Sequence, residues 1–61
     1  MCKYSVGDEV FYQSPTDSLC ITGEIEVAYV ENGVCMYGIH NPLFGYEAVP
    51  EIAIKYLVSV L

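Results

Sequence analysis

Ten residues from Ile21 to Val30 alternate in a pattern that few folds accommodate. Ile21, Gly23, Ile25, Val27 and Tyr29 fall on one side of an extended chain, and Cys20, Thr22, Glu24, Glu26 and Ala28 on the other. A period of two over this length is a half-buried β-strand. Glu31-Asn32-Gly33 follows at once, and Asn-Gly supplies the positive φ angles of a type I′ turn. The run Val34 to His40 is therefore expected to fold back antiparallel, which makes the class all-β.

Shorter strands flank this hairpin. Gly7-Asp8 reads as a tight turn leading into a first strand, Glu9 to Gln13, with Val10 and Tyr12 on one face. Ser14-Pro15-Thr16-Asp17-Ser18 is a loop, because proline and side chains that bond their own backbone compete with a ladder. Gly23 is where a bulge or a sharp bend is expected to let a small sheet curl on itself. His40 to Gly45 forms a second loop, and Tyr46 to Val49 a fourth strand. Pro50-Glu51-Ile52-Ala53 suits one turn of 3₁₀ helix, with proline in its first turn. Lys55 to Leu61 is β-branched at Val58 and Val60 and reads as a fifth strand. Its apolar residues also fit a helical period. The expected core is Val10, Ile21, Ile25, Val27, Tyr37, Ile39, Val49, Ile54 and Leu57, with Tyr29 also inward.

Residues 1–61 read as one domain, close to the smallest chain that folds unaided. With 54% hydrophobic residues it carries more apolar surface than so small a core can hide. A homo-oligomer or a covering partner is the expectation. The apolar hairpin residues or the final strand, Tyr56 to Leu61, would form the interface. If Cys35, Tyr37 and Ile39 point inward, Val34 and Met36 point outward beside Ala28 and Val30. The opposite register swaps which set is exposed.

Charge narrows the partners. Two lysines and no arginine face eight carboxylates, for a net charge of −6. Direct binding to nucleic acid or an anionic membrane needs the opposite balance, whereas a basic protein is electrostatically favoured. Cys2, Cys20 and Cys35 are odd in number and lack CxxC spacing, so the expectation is a reduced, cytoplasmic protein with Cys20 and Cys35 as small buried hydrophobes. The N-terminus has no signal-peptide core and no apolar run is long enough to span a membrane.

No catalytic constellation emerges. Glu24 and Glu26 stand about 7 Å apart on one strand face, an arrangement typical of a solvated edge. Cys35 and His40 fall on opposite faces of a regular strand, and no third group orients them. Three scattered cysteines and one histidine do not make a metal site, and no glycine-rich phosphate cradle is present, so no cofactor is expected.

Val6-Gly7-Asp8-Glu9-Val10, Gly23-Glu24-Ile25, and Val49-Pro50-Glu51 with Ile54 and Leu57 together resemble the skeleton of an SH3-like barrel. They are similar both to Tudor-type domains and to the barrel of type II (plasmid-encoded) dihydrofolate reductase. The resemblance implies a five-stranded SH3-like barrel with a short 3₁₀ turn before the last strand. The reductase likeness implies an oligomeric barrel binding folate and NADPH through a Val-Gln-Ile-Tyr segment. Gly45-Tyr46-Glu47-Ala48-Val49 stands in its place. The Tudor likeness implies an aromatic cage for methylated lysine or arginine, with Tyr12, Tyr37 and Tyr46 as its candidates and Glu47 as the nearby carboxylate. The family's Trp-Tyr-Arg-Ala stretch is absent.

The first expectation is a non-enzymatic acidic module that binds a protein. Glu24, Glu26, Glu31 and Glu47 would steer it toward a basic groove, and Met36, Phe44 and Tyr46 would anchor the contact. Small acidic domains with which mobile elements inhibit or regulate nucleic-acid-handling enzymes are the analogous class.

Overall fold

The computed structural model describes residues 1–60, and every element within them is β apart from a single 3₁₀ turn. β1 spans Glu9–Gln13, β2 Cys20–Glu31, β3 Val34–Asn41, β4 Gly45–Pro50 and β5 Ile54–Ser59, with the 3₁₀ turn at Glu51–Ala53. All pairings are antiparallel, and the strand order is β4-β3-β2-β1-β5. β4 and β5 are the edges of one open sheet. The C-terminal segment is a strand, so the helical period there goes unused. Leu61 lies outside the described residues.

The central hairpin forms as its turn residues dictate. Asn32 and Gly33 take φ of 53° and 80°, and Glu31 closes the turn opposite Val34. Ile25 pairs with Ile39, but the next matched pair is Val27 with Gly38, which leaves Glu26 as the extra residue of a bulge. Of the two devices expected at Gly23, the bulge falls three residues later. Gly23 is instead a point of close approach, since a Cβ there would lie 2.6 Å from Ile39 Cγ2 and 2.8 Å from the His40 carbonyl oxygen. Only glycine lets β1, β2 and β3 curl this tightly.

The bulge reverses which β2 side chains face inward. Up to Ile25 the expected face holds, and Ile25 is fully buried. Past Glu26, Val27 and Tyr29 turn to the outer face opposite Gly38 and Met36, and both are exposed. Ala28 and Val30 now share the inner side with Tyr37 and Cys35, so they do not stand beside Met36 as expected. Val27 and Tyr29 are thus not core residues. Leu57, inward opposite Val10 on edge strand β5, is 42% exposed, and Ile21 is only half-buried.

The inner face holds Val10, Tyr12, Ile25, Tyr37, Ile39, Val49 and Ile54. Three ties hold the curl. Ser14 Oγ, almost fully buried after β1, donates to the Glu47 carboxylate, lying 2.7 and 3.0 Å from its oxygens. The same Oγ accepts the N–H groups of Thr16 and Asp17, so one hydroxyl organises the loop and fastens edge strand β4 to it. Asn41 Nδ2 donates to the Thr22 carbonyl at 2.6 Å, while its Oδ1 accepts from Leu43 and Phe44 and shapes the β3–β4 loop.

The third tie corrects the reading of the cysteines. Cys2 and Cys35 form a disulfide across a separation of 33 residues, with Cα atoms 5.5 Å apart. Cys35 is therefore not a free thiol, and Cys20 is exposed rather than buried. The N-terminal segment runs back along the sheet, the Tyr4 N–H donates to Tyr37 Oη at 3.2 Å, and their rings meet edge to face. That return path juxtaposes residues which no spacing rule relates.

Candidate partner-binding face

The register places one set of side chains on the outer face in successive rows. Glu9, Glu24, His40 and Tyr46 form one row across β1 to β4, since each is paired with the next. Val27, Gly38 and Ala48 form the next, and Tyr29, Met36 and Pro50 the one beyond. One part of the face is therefore acidic and the adjoining part apolar.

Tyr46 joins the two parts. A Cβ on Gly38 would collide with the Tyr46 hydroxyl and approach Val27 Cγ1 to 2.5 Å, so the hydroxyl end of the tyrosine ring lies over the glycine toward β2. Tyrosine packed over a glycine in the neighbouring strand restores the surface that the missing side chain leaves open. It buries Gly38 while Tyr46 itself stays 57% exposed. The aromatic ring is held in place and still presented to solvent.

The acidic row borders a groove of about 630 Å³. Glu9, Glu24, His40, Pro42, Ser59 and Val60 contribute to its walls. Ser59 Oγ donates to Glu9 Oε1 at 3.3 Å. Glu9 and Glu24 stand directly opposite each other on adjacent strands, a like-charge pairing that weakens a sheet. A cationic group seated between them would relieve that repulsion.

The sequence candidates separate clearly. Glu24, Met36 and Tyr46 come together on the outer face. Glu26 sits exposed in the bulge, Glu31 at the hairpin tip, and Phe44 in the β3–β4 loop. Glu47 faces the other way, bound to Ser14. Tyr12 and Tyr37 are fully buried on the inner side, opposite the face that carries Tyr46. These three tyrosines do not converge into a cage.

The sequence reading missed Val27, Tyr29, Glu9 and His40 on this face. Alternation alone assigns Val27 and Tyr29 to the core, and only a signal for the bulge at Glu26 could have moved them. Glu9 and His40 needed the β1–β2 and β2–β3 registers.

Burial raises the ionisation of the Tyr12 hydroxyl above its ordinary value of 10.0, and the Glu47 carboxylate adds to the effect. That hydroxyl is buried with no hydrogen-bond partner. Among the described residues no group of three or more His, Cys, Asp or Glu side chains is arranged to hold a metal ion. No helix among them is long and apolar enough to cross a membrane. No protein-family model, curated protein or solved structure matches the chain, so its reading rests on its own residues.

Proposed function

We propose that this protein is a non-enzymatic binding module whose outer sheet face docks on a basic surface of another protein. The observation that carries this reading is Tyr46, its hydroxyl end over Gly38 yet 57% exposed, between an apolar field and the row that carries Glu9 and Glu24. Rigid exposed aromatics anchor interfaces, and charges at the rim steer the encounter. Glu9, Glu24, Glu26 and Glu31 supply the rim, and Val27, Tyr29 and Met36 extend the anchor. Phe44 in the adjoining loop adds an exposed aromatic.

We read the architecture as an SH3-like barrel left open between β4 and β5. The strand order, the bulge in a long second strand and the 3₁₀ turn before β5 support this. The module has the size and charge of the acidic inhibitors and regulators of mobile elements. It acts by covering its partner's surface, so no cofactor enters the proposal.

Pull-down from cell lysate at low and high salt tests the proposal. Capture should fall as salt rises, and Tyr46→Ala or combined replacement of Glu24, Glu26 and Glu31 by Gln should abolish it. Capture indifferent to both salt and these substitutions would overturn the proposal, as would turnover of a small substrate by the purified protein.

A further inference from the structure

We infer that the N-terminal segment, Met1 to Tyr4, is a redox-operated strap. The Cys2–Cys35 disulfide latches it over the inner face, and reduction opens it at Ser5 while the five-stranded sheet stays folded. The strap lies on the inner face and works independently of the docking proposed for the outer one.

The segment is laid on the sheet rather than built into it. Cys2 and Tyr4 are half-buried against the core while Met1, Lys3 and Ser5 are exposed, which is the period-two burial of an extended chain. Yet no backbone-to-backbone hydrogen bond holds residues 1–4 among the described residues. The Lys3 N–H donates to Glu51 Oε2 at 3.1 Å, and the Tyr4 N–H donates to the Tyr37 hydroxyl. Both acceptors are side chains. A segment with so few backbone bonds belongs to the low-stability end of a fold, and here the disulfide supplies what a ladder would.

From Ser5 onward the chain is anchored. The Asp8 N–H donates to the Ser5 carbonyl at 3.0 Å, the Gly7 N–H to the Ile25 carbonyl at 2.8 Å, and the Ile25 N–H to the Asp8 carbonyl at 2.9 Å. None of these bonds involves residues 1–4, so all of them survive when the strap lifts, and Ser5 is the hinge. What the strap covers is Tyr37, fully buried beneath the Tyr4 ring and two residues from the latch at Cys35.

Opening is an exchange with a thiol reductant of the glutathione class. A thiolate attacks one sulfur of the Cys2–Cys35 bond, forms a mixed disulfide and expels the other cysteine as a thiolate, which takes up a proton. A second thiolate attacks the sulfur of the reductant in the mixed disulfide and expels the remaining cysteine, which is protonated in turn. The protein gains two electrons and two protons, and the reductant leaves as its own disulfide. Cys2 then stays within about 10 Å of the anchored Ser5, so its thiol remains at high local concentration near Cys35 and the reverse exchange recloses the latch. Redox state thereby sets access to Tyr37 and the exposure of the strap to proteases.

Trypsin digestion and amide chemical shifts, in buffers of set reduced-to-oxidised glutathione ratio, test the inference. The chain has two tryptic sites, Lys3 in the strap and Lys55 in β5. Reduction should speed the cut after Lys3 by about tenfold or more, because cleavage follows the population of the open form. The cut after Lys55 should lag behind it, shifts should move at Cys35 and Tyr37, and the shift dispersion of the sheet should persist. Reoxidation should restore the slow rate. Cys2→Ser should be cut at the fast rate in either buffer, and Cys20→Ser should behave as the wild type. A Lys3 cut indifferent to redox state would overturn the inference. So would loss of shift dispersion throughout the sheet on reduction or in Cys2→Ser, with both lysines cut together, since the bond would then be a staple for the whole fold.

Discussion

Tyr12 shows how one atom can sit badly in an otherwise satisfied core. Its ring fills the inner face, but its hydroxyl is buried without a partner, close enough to Glu47 for that carboxylate to oppose ionisation. Removing an unpaired buried hydroxyl relieves a desolvation cost of about 1–3 kcal/mol. Tyr12→Phe should therefore leave stability unchanged or raise it, as measured by urea denaturation at pH 7. The pH dependence has a definite sign. In the unfolded chain the hydroxyl ionises near 10.0, and in the folded protein above that value. Between the two, the unfolded state binds fewer protons, so stability is full below pH 10 and falls as pH rises beyond it. Tyr12→Phe should flatten part of this alkaline slope. A loss of more than about 1 kcal/mol at pH 7 would instead mean that the hydroxyl is bonded.

At the scale of elements, most of the strand plan was legible because the alternation and the Asn-Gly turn are local. β1 matched its expected bounds, and the other strands differ by one or two residues. What local pattern could not show is the bulge. One extra residue at Glu26 moves Val27 and Tyr29 from the core to the outer face, and it shows only in the β2–β3 register. The site was legible only in part for the same reason. Exposed Tyr46 and Glu24 were named from their neighbours in sequence, whereas the Gly38 seat and the facing Glu9 depend on register. That facing pair yields a second prediction. Glu24→Gln removes a like-charge cross-strand pair and should stabilise the fold by about 0.2–1 kcal/mol while weakening partner capture. Thermal melts and binding measured on the same variant decide it. A less stable variant would show that the carboxylates are not in conflict.

On the scale of the whole molecule, a core of seven side chains is supplemented by ties between distant segments. The Cys2–Cys35 disulfide closes a loop spanning 33 positions, for which chain entropy gives about 3–4 kcal/mol. It was invisible in the sequence because three cysteines without motif spacing give no preferred pairing. Reduction, or Cys2→Ser, should lower stability by about 2–4 kcal/mol in denaturant melts and free the segment before Ser5. A melt unchanged by reductant would contradict that role.

The central claim is that the outer face of β2–β4 receives a basic partner. Titrating isotope-labelled protein with a lysine- and arginine-rich peptide, followed by amide chemical shifts at low and at high salt, tests it most directly. The account predicts saturable shifts at Glu24, Val27, Tyr29, Gly38, His40 and Tyr46 that weaken as salt rises. The same titration of Gly38→Ala, whose new methyl displaces Tyr46, should lose them. No saturable shift at low salt, or shifts confined to the inner face and the β5 edge, would contradict the claim.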